Sequence, residues 1–71
     1  MKFKNFAIEM IKQGISREEL TQKLNENGVE VTYSTVCRWI RGTSEPNFGQ
    51  AGVIAKILDS TIDYLFETEE I

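Results

Sequence analysis

Apolar residues recur along the chain at the spacing of helical turns, three and four residues apart, in five short segments. In the first segment, from about residue 3 to residue 13, they form one stripe of an amphipathic helix: Phe3, Phe6, Ala7, Met10 and Ile11. The other segments repeat the pattern with Leu20 and Leu24; Val36, Trp39 and Ile40; Phe48, Ala51, Ile54, Ala55 and Leu58; and Ile62, Leu65 and Phe66. This pattern predicts five short helices and an all-α domain.

Residues typical of helix ends separate these segments. Ser16 and Glu19 have the spacing of a capping box at the start of the second segment, and Thr32 is suited to cap the third. Ser60, with Asp63 three residues later, resembles a capping box for the fifth segment. The glycines suited to the left-handed position that follows a helix are Gly14 and Gly42. We therefore expect tight links between most of the helices.

The link between the second and third segments, "NENGVEVT" (residues 25–32), is longer than the others. It begins with turn-forming residues, and Val29 and Val31 then alternate with Glu30, as in a strand. Because no second strand is predicted nearby, we expect a loop that packs its two valines under the core.

Composition excludes several classes of function. The chain has 71 residues, of which 41% are hydrophobic, which is ordinary for one small globular domain. With one cysteine and no histidine, it offers no internal disulfide, no histidine-based catalytic triad and no histidine metal ligand. We therefore expect neither an enzyme nor a cofactor or metal site. The absence of a long apolar run and of a signal-peptide pattern near the N-terminus indicates a cytoplasmic protein without a membrane partner.

Charge is distributed unevenly. The net charge is −3, but residues 1–56 carry eight basic and six acidic residues, a balance of +2, whereas residues 57–71 carry five acids and no base. One interpretation is a solvated acidic face on the C-terminal part, ending in a short acidic tail at about residues 67–71. The other is a segregation of charge that leaves the rest of the domain available to an anionic partner.

The third segment places two kinds of residue on opposite faces. Val36, Trp39 and Ile40 should face the core. The positions predicted for the outer face are Ser34, Cys37, Arg38 and Arg41, with Tyr33 at the exposed first turn. Without further context, the two arginines could simply be solvated, Cys37 could be an inert thiol, and Tyr33 could pack on the long connector.

Taken together, these segments resemble the helix-turn-helix domain of lambda-type phage repressors and Cro proteins, the XRE family. The matching stretches are "ISREELTQKL" as the second helix, "VTYSTVCRWIRG" as the recognition helix, and "PNFGQAGVIAKILDSTIDYLF" as the last two helices. The resemblance covers roughly residues 3 to 66 and implies a five-helix lambda-repressor-like domain over residues 1–71. The sequence departs from the family in its long connector, and in having Ile40 where the family often has a glutamate.

The resemblance implies that residues 33–41 enter the major groove of double-stranded DNA. Tyr33, Ser34, Cys37 and Arg38 would then reach base edges, and Thr35 or Cys37 could touch a thymine methyl group. Residues expected to grip the phosphate backbone are Arg17, at the start of the second helix, and Arg41, Thr43 and Ser44, at the end of the third.

Two classes of function follow from the sequence. The first is a sequence-specific transcriptional regulator, a Cro-like phage or prophage repressor, that binds an operator as a homodimer. Its candidate interface residues, which cannot all fit in so small a core, are Ile62, Tyr64, Phe66 and Ile71. The alternative is a modulator or antirepressor that keeps the fold and binds a partner repressor protein, which the acidic tail, Ile40 and the sparse positive charge would favour.

Overall fold

A computed structural model describes residues 3–68, and these residues form five α-helices. The helices are α1 (Phe6–Gln13), α2 (Arg17–Glu26), α3 (Tyr33–Arg41), α4 (Phe48–Ile57) and α5 (Ile62–Leu65). Helix α2 packs against both α3 and α4, and α4 packs against α5. The predicted all-α, five-helix architecture is confirmed. None of the helices in the described range is both long and apolar enough to cross a membrane.

The starts of α2 and α3 follow the sequence signals. The Ser16 hydroxyl accepts from the Glu19 backbone N–H at 3.1 Å, and the Glu19 carboxylate accepts from the Ser16 N–H at 3.1 Å. Thr32 Oγ1 accepts from the Thr35 N–H at 3.2 Å. Both predicted caps are confirmed, and they fix where the two helices of the helix-turn-helix unit begin.

The starts of α4 and α5 differ from the expectation. Asn47 and Gln50 form a reciprocal capping box at the start of α4, at 2.8 and 2.9 Å, which the sequence analysis missed. Helix α5 is capped by Thr61, whose hydroxyl accepts from the Tyr64 N–H at 3.2 Å. The prediction of a cap at Ser60 was therefore wrong by one residue. Ser60 instead donates its backbone N–H to the Ala55 carbonyl at 2.8 Å, which closes the end of α4.

The first described residues do not belong to the helix that was predicted for them. Phe3 is not helical but forms an isolated antiparallel bridge with Thr68, and α1 begins only at Phe6. Lys4 donates its backbone N–H to the Glu67 carbonyl at 2.7 Å. Because this pairing joins the two ends of the described chain, it could not be anticipated from a local helical period.

The core contains most, but not all, of the predicted stripe residues. The fully buried ones include Phe6, Leu20, Leu24, Val36, Ile54, Leu58 and Leu65. Ala7 was predicted in the buried stripe but is exposed. The prediction was also wrong for Ile11, which is 80% exposed, and for Phe48, which is 81% exposed. Both lie at one end of their helical stripe, where no neighbouring helix covers them.

The long connector is divided between helix and loop. Helix α2 runs on to Glu26, and the residues that follow form a turn and an irregular loop up to the Thr32 cap. Val29 and Val31 are half-buried and pack against the core, so the predicted loop with inward valines is confirmed. Asn25 Nδ2 donates to the Val31 carbonyl at 3.1 Å, which ties the loop back to the helix that precedes it.

Candidate nucleic-acid interface

Helix α3 is anchored by an apolar face and presents a polar one. Val36, Trp39 and Ile40 are at most 7% exposed and belong to the core, as predicted. Because Ile40 is buried, it does not add an apolar group to the outer surface of the helix. The helix ends at Gly42, whose φ of 80° is the left-handed conformation that glycine adopts most readily.

The outer face of α3 carries hydroxyl and guanidinium groups. Tyr33 is 47% exposed, Ser34, Arg38 and Arg41 are exposed, and Thr35 is half-buried. Arg38 Nη2 donates to Thr35 Oγ1 at 3.3 Å, and Thr35 Oγ1 lies 3.1 Å from Thr32 Oγ1. The guanidinium of Arg38 is thus held along the helix by Thr35, whose hydroxyl in turn contacts the capping residue Thr32.

Cys37 does not lie on this outer face. Its spacing predicted a position beside Ser34 and Arg38, but the side chain is only 9% exposed and is buried. The prediction that Cys37 shares the exposed surface is therefore wrong. The reason is that α2 and the core together cover a wider arc of α3 than the spacing of Val36, Trp39 and Ile40 indicates. The thiol instead lies 3.9 Å from Arg17 Nη1, on the first turn of α2.

Two arginines from different helices line one cleft. Arg17, at the start of α2, and Arg41, at the end of α3, border an open cleft of about 540 Å³. Its other lining residues are Ala7, Ile40 and Thr43. Both arginines are exposed, so the cleft has a positively charged rim and an apolar floor. Such a surface is suited to an anionic group such as a phosphate.

The loop after α3 is held against the end of the helix. The backbone N–H of Thr43 donates to the Arg38 carbonyl at 3.0 Å, and the Thr43 hydroxyl donates to the same carbonyl at 3.3 Å. Thr43 is exposed and Ser44 is half-buried. The structure therefore brings Thr43 next to Arg41 and Arg17, whereas Ser44 is partly covered.

The first turns of α2 and α3 also meet through Tyr33. The pKa of the Tyr33 phenol is raised, above all by its contact with the Cys37 thiol, and Glu18 adds to the effect. The phenol itself is exposed at the first turn of α3.

The predicted interface residues that the structure describes fall on and around α5. Phe66 is half-buried, with ring centroids 5.0 Å from Phe3 and 5.3 Å from Phe6 in edge-to-face packing. Ile62 is also half-buried, Tyr64 is 40% exposed, and Ile71 lies outside the described residues.

An apolar groove accompanies these residues. It has a volume of about 290 Å³ and is lined by Phe3, Glu45, Pro46, Phe48, Ala51, Ile62, Phe66 and Thr68. The sequence analysis missed Phe48 as a surface residue because its spacing matches the buried stripe of α4. At 81% exposure, it is the most exposed apolar side chain beside this groove.

The described residues contain no group of three or more Cys, Asp or Glu side chains placed to hold a metal ion. The α3 face offers a helix with an outer row of hydroxyl and guanidinium groups, and a basic cleft lies beside it. Helix α3 is preceded by a helix packed across it, which is the geometry of a DNA-reading helix-turn-helix unit.

Comparison with known proteins agrees with this geometry. The sequence model of the helix-turn-helix family, of the XRE type, matches residues 7–65. The chain therefore belongs to this family of DNA-binding transcription regulators, which is a regulatory rather than an enzymatic class. No curated protein and no solved structure shows significant similarity to the chain.

Proposed function

We propose that this protein is a Cro-like regulator of phage or prophage genes that reads a short operator in the cytoplasm. The carrying observation is the outer face of α3, where Tyr33, Ser34 and Arg38 are exposed above a buried apolar face. A single α-helix fits the major groove, and residues near its N-terminus reach base edges. Residues 33–41 are the proposed recognition helix.

Arg38 is the proposed main determinant of sequence. A guanidinium group can pair with O6 and N7 of guanine through two hydrogen bonds, which discriminates against other bases by about 1–3 kcal/mol. Its contact with Thr35 limits its freedom before binding, so less side-chain entropy is lost in the complex. Ser34 can bond either base type, and the Thr35 methyl group can meet a thymine methyl.

The basic cleft is the proposed site for the DNA backbone. Arg17 and Arg41 approach it from two helices, with Thr43 between them. Contacts of this kind fix the position of the protein on the duplex without reading its sequence. Ser44, which is half-buried, would contribute its exposed atoms to the same strand.

Dimerisation is proposed to use the groove between α4, α5 and the N-terminal residues. Phe48 is 81% exposed and would supply the apolar centre of the interface, with Ile62, Tyr64 and Phe66 around it. A homodimer with two-fold symmetry would place two copies of α3 on half-sites about one helical turn apart.

The test is selection of duplexes from a random library by the purified protein at low salt. We expect enrichment of a palindrome whose half-sites are separated by about 10 base pairs. The double variant Arg38→Ala/Arg41→Ala should lose this enrichment. Lys23→Ala/Lys56→Ala is the matched control, because it removes two exposed positive charges from α2 and α4 and should keep the motif.

A modulator that binds a partner repressor is the second candidate, and the exposed Phe48 beside its groove favours it. The burial of Ile40 removes one of the reasons for it. This candidate predicts no enriched duplex at any salt concentration, and capture of a purified repressor that depends on Phe48 and Phe66 but not on Arg38. Enrichment of a palindrome that requires Arg38 and Arg41 would exclude it as the main function.

A further inference from the structure

The buried thiol of Cys37 lies where the two helices of the helix-turn-helix unit meet. It is 9% exposed, so its sulfur is placed under the DNA-facing surface and not on it. Arg17 Nη1 of α2 lies 3.9 Å from the sulfur, and this hydrogen bond spans 20 positions in the sequence.

From this position, the Cys37 side chain contacts Arg17, and Arg17 shares a cleft with Arg41. An arginine has five N–H donors, and a single contact with sulfur leaves the rest free for a phosphate. A long side chain that is fixed before binding loses less entropy in the complex than a mobile one. Because Arg17 also borders the cleft that it shares with Arg41, its orientation determines whether that cleft presents two guanidinium groups to one phosphate.

We propose that Cys37 is a positioning residue for DNA binding, in which the thiol holds the Arg17 guanidinium over the cleft that it shares with Arg41. Cys37 itself makes no contact with DNA. This inference rests on the proposed function and assigns to Cys37 a role different from the base contact that the sequence indicated.

A purely structural role is the competing explanation, because a buried cysteine also packs as a small apolar residue. The two explanations differ in their dependence on Arg17. If Cys37 only fills space, its replacement weakens binding to the same extent whether or not Arg17 is present. If it positions Arg17, its replacement has an effect only when Arg17 is there to be positioned.

The experiment is a double-mutant cycle on operator binding, measured by fluorescence anisotropy with the selected duplex over a range of salt concentrations. The variants are Arg17→Ala, Cys37→Val and their combination, with Cys37→Ala and Cys37→Ser in parallel. Thermal unfolding of each variant identifies any that fails to fold. Cys37→Ala provides the measurement if the larger valine does not fit, and Cys37→Ser keeps a hydrogen-bond acceptor.

The expected results are specific to the coupling. Arg17→Ala should make the plot of log K against log salt concentration less steep, reducing the magnitude of its negative slope by about 0.9, as expected for one lost phosphate contact. Cys37→Val and Cys37→Ala should weaken binding about 2- to 10-fold, as for a lost hydrogen bond, but should cause no further loss when Arg17 is already alanine. Cys37→Ser should bind more tightly than either.

Four outcomes would overturn the inference. Equal losses from Cys37→Val with and without Arg17 would show a packing role, and unchanged affinity in every Cys37 variant would show no role. Arg17→Ala could leave affinity and salt slope unchanged while Arg38→Ala/Arg41→Ala abolishes binding. Arg17 would then not contact the DNA backbone, and the inference would fail while the proposed function stands. Absence of any enriched duplex would overturn both.

Discussion

Replacing Asp59 with glycine should stabilise the domain. Asp59 follows α4 with a φ of 50°, and among residues 3–68 it is the one non-glycine residue with a positive φ. The helix end around it is closed by Asp59 N–H to Lys56 carbonyl and Ser60 N–H to Ala55 carbonyl bonds, at 3.2 and 2.8 Å. Equivalent left-handed positions after α1 and α3 are occupied by Gly14 and Gly42.

The magnitude follows from three terms. A residue with a Cβ atom is destabilised by about 1–2 kcal/mol in the left-handed conformation, with aspartate near the lower end because its short polar side chain is tolerated there. A carboxylate near a helix C-terminus adds about 0.3–1 kcal/mol of unfavourable interaction with the helix dipole. The greater flexibility of glycine in the unfolded chain opposes these terms by about 0.5–1 kcal/mol. The net gain is about 1 kcal/mol, which raises the Tm by about 4–8 °C in a domain of this size.

Calorimetry of three variants separates the two causes. Asp59→Gly removes both the Cβ atom and the charge, Asp59→Asn removes the charge and keeps a side chain tolerated at positive φ, and Asp59→Ala removes the charge but keeps the strained Cβ. We expect the order of Tm to be glycine, then asparagine, then alanine. If Asp59→Ala stabilises the domain as much as Asp59→Gly, the argument from backbone conformation is wrong and the gain is electrostatic.

Three further predictions concern the caps, the helix interior and the surface groove. Ser16→Ala removes the acceptor of the capping box and should lower the free energy of unfolding in urea by about 1 kcal/mol; an unchanged midpoint would show that the cap contributes nothing. Gly52→Ala should raise the same free energy by about 0.5–1 kcal/mol, because a Cβ there would meet Ile62 Cδ1 at an ordinary 3.9 Å, and a decrease would indicate a clash in the helix pair. Phe48→Ser should change the stability of the monomer by less than about 0.5 kcal/mol, since the side chain is 81% exposed, but should abolish the dimer in sedimentation velocity. A dimer that persists with serine at this position would place the interface elsewhere.

The charge of the chain is compatible with binding DNA because α3 carries two arginines and no acidic residue. Arg17, Arg38 and Arg41 are exposed on α2 and α3. The acids of the C-terminal part that the structure describes are Asp59, Asp63 and Glu67, on and around α5. A charged surface acts on a ligand through its local field, which salt screens beyond about 10 Å. The net charge of −3 is therefore a poor guide to what the α3 face binds.

The beginnings and ends of the central helices were predictable from the sequence because they depend on hydrogen bonds between near neighbours. The Ser16 cap acts across three residues, the Thr32 cap likewise, and Gly14 and Gly42 adopt positive φ for local steric reasons. The apolar stripes, in turn, determined the all-α fold and identified α3 as a helix with one polar face. These features require no knowledge of which helices become neighbours.

The tertiary structure alone decided which residues at the margins of those stripes are covered. Cys37 is buried where α2 packs against α3, and Phe48 is exposed because burial along α4 begins only at Ala51, one turn after it. The pairing of Phe3 with Thr68 joins residues from opposite ends of the described chain. A helical period gives the direction of a side chain relative to its own helix, but burial depends on what lies in that direction. That is why the position of Cys37 beside Arg17 emerged only from the packing of the helices.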